Sequence, residues 1–199
     1  MQLQEYERVK NLSYREYCDY LQKKYGKSLG DYMTKSWNKN KRITRTKEGL
    51  IVHHKYEDCA VRLSDPECAI DYPFEWQKAE NLVYCDYLEH LFLHMLICES
   101  SSKYNDSGDV LGIQGIIEFL VPELNDWYSG FQPKDWRVNC YNAIIDNKEV
   151  YLTLLKRFKE KCYNYPLYDK DCLFTSFNVN YGLWNILDNV PLFNEIKNL

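Results

Sequence analysis

A chain of 199 residues with 45% hydrophobic residues, five Trp, eight Phe and eighteen Tyr can build one good core, which points to a folded protein rather than a disordered one. No segment reaches the ~18 uninterrupted apolar residues of a membrane span, and Met1 to Arg8 holds no apolar run of signal-peptide length. A soluble, cytoplasmic protein without a membrane partner is expected. The net charge of −4 conceals an asymmetry: residues 1–50 carry twelve Lys and Arg against six Asp and Glu, while residues 51–199 carry thirteen against twenty-three. One side of the molecule is therefore suited to an anionic partner.

Residues 3–25 read as one helix or two short ones. Tyr14, Tyr17, Cys18, Leu21 and Tyr25 recur at spacings of three and four on one face, Ser13 and Glu16 are placed for a capping box, and Gly26 is a stop. Between Lys35 and Lys47 the character changes, with Lys35, Lys39, Lys41, Arg42, Arg45 and Lys47 surrounding Trp37 and no acidic residue among them. Such a run neutralises backbone phosphates, and an aromatic within it can stack on a base. Taken alone it reads as a solvated loop whose charges keep the protein soluble.

Glu48 to His54 reads as a turn and a short β-branched strand that ends in His53 and His54. Successive side chains on a strand leave on opposite faces, so the two histidines should do different work. Residues 55–80, with Ser64-Asp65-Pro66 and Asp71-Tyr72-Pro73, form a loop. A second strand is expected over Asn81–Cys85. Asp86 and Glu89 then form a capping box for a helix running to about Ile97 or Cys98. On that helix His90 and His94 stand one turn apart on one face, where two imidazoles can close on one ion.

Beyond Glu99 comes a polar connection over Ser100–Asp109, then helices over Val110–Leu120, Asp135–Tyr163 and Leu183–Leu187, with no catalytic constellation among them. This region is expected to buttress the site or recognise a partner. The eight cysteines are dispersed with no C-x-x-C, so reduced, buried thiols are expected rather than a zinc knuckle. The fold class expected is α+β and mostly helical. It forms a single domain, 1–199, with an N-terminal helical and basic region (1–44), a core containing all four histidines (45–99) and a C-terminal helical region (100–199).

The layout of a strand ending in His53-His54, a loop, a strand opening on Asn81 and a helix bearing His90 and His94 resembles the HNH, or ββα-metal, endonuclease family. The spacing looks like the colicin-type subset, in which three histidines hold one metal. The resemblance covers about residues 45–98. It implies a ββα-metal core, with His53, His90 and His94 as metal ligands and His54 as general base. Asn81 would hold the hairpin and orient His54, or approach the metal. The 27-residue interval from His54 to Asn81 is longer than in compact members.

The implied activity is hydrolysis of DNA phosphodiester bonds with one divalent ion, leaving 5′-phosphate and 3′-hydroxyl ends. Mg²⁺ or Mn²⁺ is expected for turnover, with Zn²⁺ or Ni²⁺ as alternatives that suit three imidazoles. Next to such a site, Lys35, Lys39, Lys41, Arg42, Arg45, Lys47 and Lys55 read as nucleic-acid contacts. The competing readings are an RNase, a nuclease toxin with an immunity partner, and a non-catalytic nucleic-acid-binding module stapled by a four-ligand zinc drawing on Cys59, Cys85 or Cys98. A homodimer would suit a palindromic target.

Overall fold

The structure, a computed structural model, describes residues 1–100, 110–162 and 186–199. It is α+β: mostly helical, with a small two-stranded antiparallel sheet.

The N-terminal region folds as two helices, α1 (Leu3–Val9) and α2 (Tyr14–Tyr25). The break between them is written in Ser13. Its hydroxyl accepts from the Glu16 amide, and the Glu16 carboxylate accepts from the Ser13 amide at 2.8 Å, so α2 starts afresh with its own capping box. Tyr14, Tyr17, Cys18 and Leu21 are buried along one face of α2. That face lies behind the hairpin and the central helix.

The sheet pairs β1 (Ile51–His54) with β2 (Leu82–Cys85), in a register that sets His53 opposite Val83 and His54 opposite Leu82. The connection between the strands carries a single helical turn, α3 (Pro66–Ala69), capped by Asp65, followed by two 3-10 turns over Phe74–Gln77 and Ala79–Asn81. Tyr32, Met33, Ile43, Ala69 and Leu82 form a small second core, through which the basic segment is tied to the hairpin by the buried Ile43.

The chain then enters α4 (Tyr87–Ser100), the central helix. Leu88, Leu91, Phe92, Leu93, Met95, Leu96 and Ile97 are all buried, so the helix is apolar nearly all round, as a helix enclosed by other elements must be. Each such side chain contributes ~1.5–3 kcal/mol through burial. Both ends of α4 are pinned. At its start the Asp86 and Glu89 amides each bond the other's carboxylate at 2.8 Å. Those buried acids are in turn compensated, Asp86 by the Met1 amine and Glu89 by Lys24 at 2.6 Å. At its end Glu99 receives a two-pronged bond from Arg157, at 2.6 and 2.8 Å. A helix held this way makes a rigid mount for side chains.

The C-terminal region covers the other side of α4. A π-helical turn over Gly115–Leu120 runs directly into α5 (Val121–Tyr128). Pro122 does not end the helix: it falls where the π-helical turn gives way to α5. The long helix expected over 135–163 is divided into α6 (Arg137–Ile144) and α7 (Lys148–Cys162) by a 3-10 turn over Ile145–Asn147. Ile144 leaves helical geometry there at φ −129°, ψ −13°, and the Asp146-Asn147 pair that follows favours a turn over a helix interior. Of the expected 183–187 helix, residues 183–185 lie outside the described residues. Ile186–Asn189 forms a 3-10 turn leading into α8 (Val190–Lys197).

Among the described residues no helix is long and apolar enough to cross a membrane. Cys18, Cys85, Cys98, Cys140 and Cys162 are buried, and no disulfide joins the described cysteines.

Candidate metal centre

His53, at the end of β1, turns onto α4 and meets His90 and His94, while Glu57 closes over them from the turn that follows β1. One ligand atom from each of these four residues lies within 4.8 Å of every other. Four of the separations are tighter: His53 Nδ1 to His90 Nε2 is 3.1 Å, His90 Nε2 to His94 Nε2 is 3.2 Å, and Glu57 Oε2 is 3.4 Å from both His53 Nδ1 and His94 Nε2. A tetrahedral ion with bonds of about 2.0–2.1 Å sets its ligands about 3.3–3.4 Å apart. The cluster has the chemistry and nearly the spacing to bind a metal ion.

The partners behind the rings bear on which nitrogens are free to ligate. The Tyr14 hydroxyl lies 2.8 Å from His53 Nε2 and 3.2 Å from the His54 carbonyl; when it donates to the carbonyl, its oxygen accepts from His53 Nε2–H and Nδ1 is left bare. His94 Nδ1–H donates to the Gly112 carbonyl at 3.1 Å and leaves Nε2 bare. His90 has one proton to share between two bare nitrogens, and its own Nδ1 is buried without a partner. With His53 Nδ1 bare, at least three lone pairs converge, an arrangement that a cation relieves.

Protons are disfavoured there. Burial pushes His53 down to about 3 and pushes His90 and His94 below the usual imidazole value, with the neighbouring imidazoles adding to the effect at His90. Burial works against the Glu57 carboxylate too, but the rings crowding it hold it well below the carboxylate range. The two directions, imidazoles favoured neutral and a carboxylate favoured charged, are the ones that metal binding requires.

His54 points the other way, as a strand dictates. It is 1% exposed, packs edge-on against Tyr32 at 4.5 Å, and its Nε2 meets Gln77 Oε1 at 3.1 Å. Gln77 is fully buried, and its amide N–H₂ donates to the Leu63 carbonyl, so its oxygen is the end facing His54. The proton of His54 is thereby held on Nε2. Its Nδ1 is bare, buried and without a hydrogen-bond partner, 3.5 Å from Glu57 Oε1.

Asn81 sits at the last 3-10 turn before β2. Its side chain donates to the Glu75 carbonyl at 2.8 Å and its carbonyl accepts from the Lys55 amide at 2.9 Å, so it ties the loop to the hairpin, and the ring of His54 is bonded by Gln77. Of the basic residues, Lys35, Lys41, Arg42 and Lys47 are exposed, and Lys39 lines the cleft described below. Arg45 lies 3.4 Å above the Trp136 ring, Lys55 is engaged by Gln22 at 2.9 Å and Asp19 at 3.3 Å, and Trp37 rests edge-on against Phe74.

A cleft of about 750 Å³ opens onto Glu57, His90 and His94. Its wall includes Gly112 and Gly115, which the C-terminal region brings against His94. Gly112 has φ +90°, and a Cβ on Gly115 would stand 2.4 Å from His94 Cε1. Glu57, Gln77, Tyr14 and Gly115 are the site residues that sequence reasoning missed. Glu57 could have been noticed as a carboxylate three and four residues beyond two histidines, within one turn of a strand's end. The others leave no local signal. The candidate metal cluster among the described residues contains no cysteine.

Comparison with family models, with curated proteins and with solved structures found no match to this chain.

Proposed function

We propose that the chain is a metal-dependent phosphodiester hydrolase of the HNH type, an endonuclease whose substrate is DNA. The observation that carries this reading is the pairing of a His53/His90/His94 metal cluster with a second histidine, His54, whose unpartnered Nδ1 stands just across Glu57. A strand–strand–helix unit supplies all of them in the order the ββα-metal family uses.

Each residue then has one task. His53, His90 and His94 hold the ion, which when bound supplies Lewis acidity to a phosphoryl group and its leaving oxygen. His54 Nδ1 takes the proton of the attacking water, and Gln77 keeps that nitrogen bare. Tyr14 and Gly112 hold His53 and His94 in the tautomers that ligate. Asn81 keeps the long loop closed on the hairpin. The exposed Lys35, Lys41, Arg42 and Lys47 give the segment ahead of β1 the charge to lie along a phosphate backbone. Imidazole ligands favour Zn²⁺ or Ni²⁺ for tight binding, and Mn²⁺ or Mg²⁺ is assigned to turnover.

One observation favours a second reading. Glu57 makes the donor set four, and structural zinc sites are closed by four protein ligands. In that case the metal only staples the hairpin to α4. Incubating supercoiled plasmid with EDTA-stripped protein resupplied with Mg²⁺, Mn²⁺, Ni²⁺ or Zn²⁺, beside His54→Ala, separates the two. Nicking by the wild type and none by the variant is expected. Absence of cleavage with every ion, on plasmid and on RNA alike, would leave the staple.

A further inference from the structure

The two oxygens of Glu57 face two different groups. Oε2 is 3.4 Å from His53 Nδ1 and His94 Nε2, on the metal side, while Oε1 is 3.5 Å from His54 Nδ1, on the side of the base. Oε1 is also 3.4 Å from the His54 amide nitrogen. The carboxylate therefore spans the gap between ion and base. A phosphodiester undergoing hydrolysis has to fill that same gap, with one non-bridging oxygen towards the ion and its phosphorus within reach of a water held by His54. Both cannot be there at once.

We propose that Glu57 occupies, in the resting protein, the oxyanion position of the substrate, so that ligation by Glu57 and binding of a phosphoryl group are mutually exclusive. This rests on the metal-hydrolase reading above. The turn that carries Glu57 is closed by its own backbone bonds, from the Glu57 amide to the His54 carbonyl at 3.1 Å and from the Ala60 amide to the Tyr56 carbonyl at 3.1 Å. The side chain retains 18% exposure on the cleft side, so it can swing away while the turn stays in place. With Glu57 in place His54 is 1% exposed.

The arrangement selects a class of substrate. A carboxylate tethered one turn from its site competes at high effective concentration, so a small free anion displaces it poorly. A phosphate inside a polynucleotide is different, because flanking phosphates held by Lys39, Lys41 and Arg42 deliver it to the site. Inorganic phosphate and mononucleotides are excluded, and polymers are admitted.

The test uses the full chain loaded with Co²⁺, whose visible spectrum reports coordination, titrated with inorganic phosphate. The wild-type spectrum is expected to stay fixed. In Glu57→Ala, and in Glu57→Gln, Co²⁺ remains bound on three histidines and phosphate shifts the spectrum with at least ~10-fold higher apparent affinity than in the wild type. A duplex oligonucleotide shifts the wild-type spectrum where phosphate does not. Equal responses of wild type and both variants to phosphate would overturn the proposal. So would loss of Co²⁺ from both variants with their circular dichroism intact, since the position could then never be vacated. Failure of the wild type itself to take Co²⁺ would instead remove the metal-hydrolase reading on which the proposal stands.

Discussion

Gly115→Ala is a one-carbon change outside the four candidate ligands, and its effect on the metal follows from the packing. An added Cβ would stand 2.4 Å from His94 Cε1, 2.5 Å from Nδ1 and 3.0 Å from Nε2, where ordinary contact begins at 3.4 Å. The ring has to retreat by about 1 Å, beyond what a packed interior absorbs without strain of ~1–3 kcal/mol. Retreat takes Nδ1 off the Gly112 carbonyl, 3.1 Å away, and Nε2 out of the cluster. Loss of such support for a ligand lowers metal affinity about 10–100-fold. Working against this, replacing glycine at a compatible backbone stabilises the chain by ~0.4–1 kcal/mol. The expected result is therefore a small loss of stability in the metal-free protein and a large loss of affinity, measured by Zn²⁺ titration calorimetry beside an EDTA-stripped melt. Unchanged Zn²⁺ affinity in a folded Gly115→Ala protein would refute the inward placement of His94.

Other expectations follow from the same contacts. Gln77→Leu removes the acceptor that holds the His54 proton on Nε2; cleavage should fall about 10–100-fold while Zn²⁺ affinity is kept, and equal loss of both would show a merely structural role for Gln77. Because burial lowers the folded-state values of His53, His90 and His94, the unfolded chain binds more protons at mildly acid pH. The stability of the metal-free protein is then fully present above the ordinary imidazole value and declines as pH falls towards about 3, by up to ~1.4 kcal/mol per unit for each histidine kept neutral. Urea unfolding in EDTA from pH 7.5 to 4.5 measures this, and a flat profile would contradict it. Leu91→Ala, on the buried face of α4, should lower stability by ~2–5 kcal/mol in the same urea experiment, and a loss below 1 kcal/mol would mean that α4 is not the central helix.

What could be read from the sequence was what local chemistry dictates. The capping boxes at Ser13/Glu16 and Asp86/Glu89 mark the starts of α2 and α4, and the i, i+4 spacing of His90 and His94 places both rings on one side of a helix. The opposite facing of His53 and His54 follows from strand geometry alone. Glu57 was not legible because nothing local says how the turn after β1 folds back over the rings. Gln77 reaches His54 from the far end of a 27-residue loop, and Gly115 meets His94 from 21 positions further along the chain, a contact that no local pattern announces. The division between α6 and α7 escaped for another reason: apolar residues keep helical intervals through Ile144 and Ile145, and the 3-10 turn there is set by backbone angles that periodicity does not record.

The account stands on the meeting of His53, His90, His94 and Glu57 around one ion, so the most direct measurement is metal stoichiometry by elemental analysis after equilibrium dialysis against Zn²⁺. The wild type should retain one Zn²⁺ per chain, and His90→Ala, with unchanged circular dichroism, should retain none. No bound metal in the wild type, or equal binding in the variant, would contradict it.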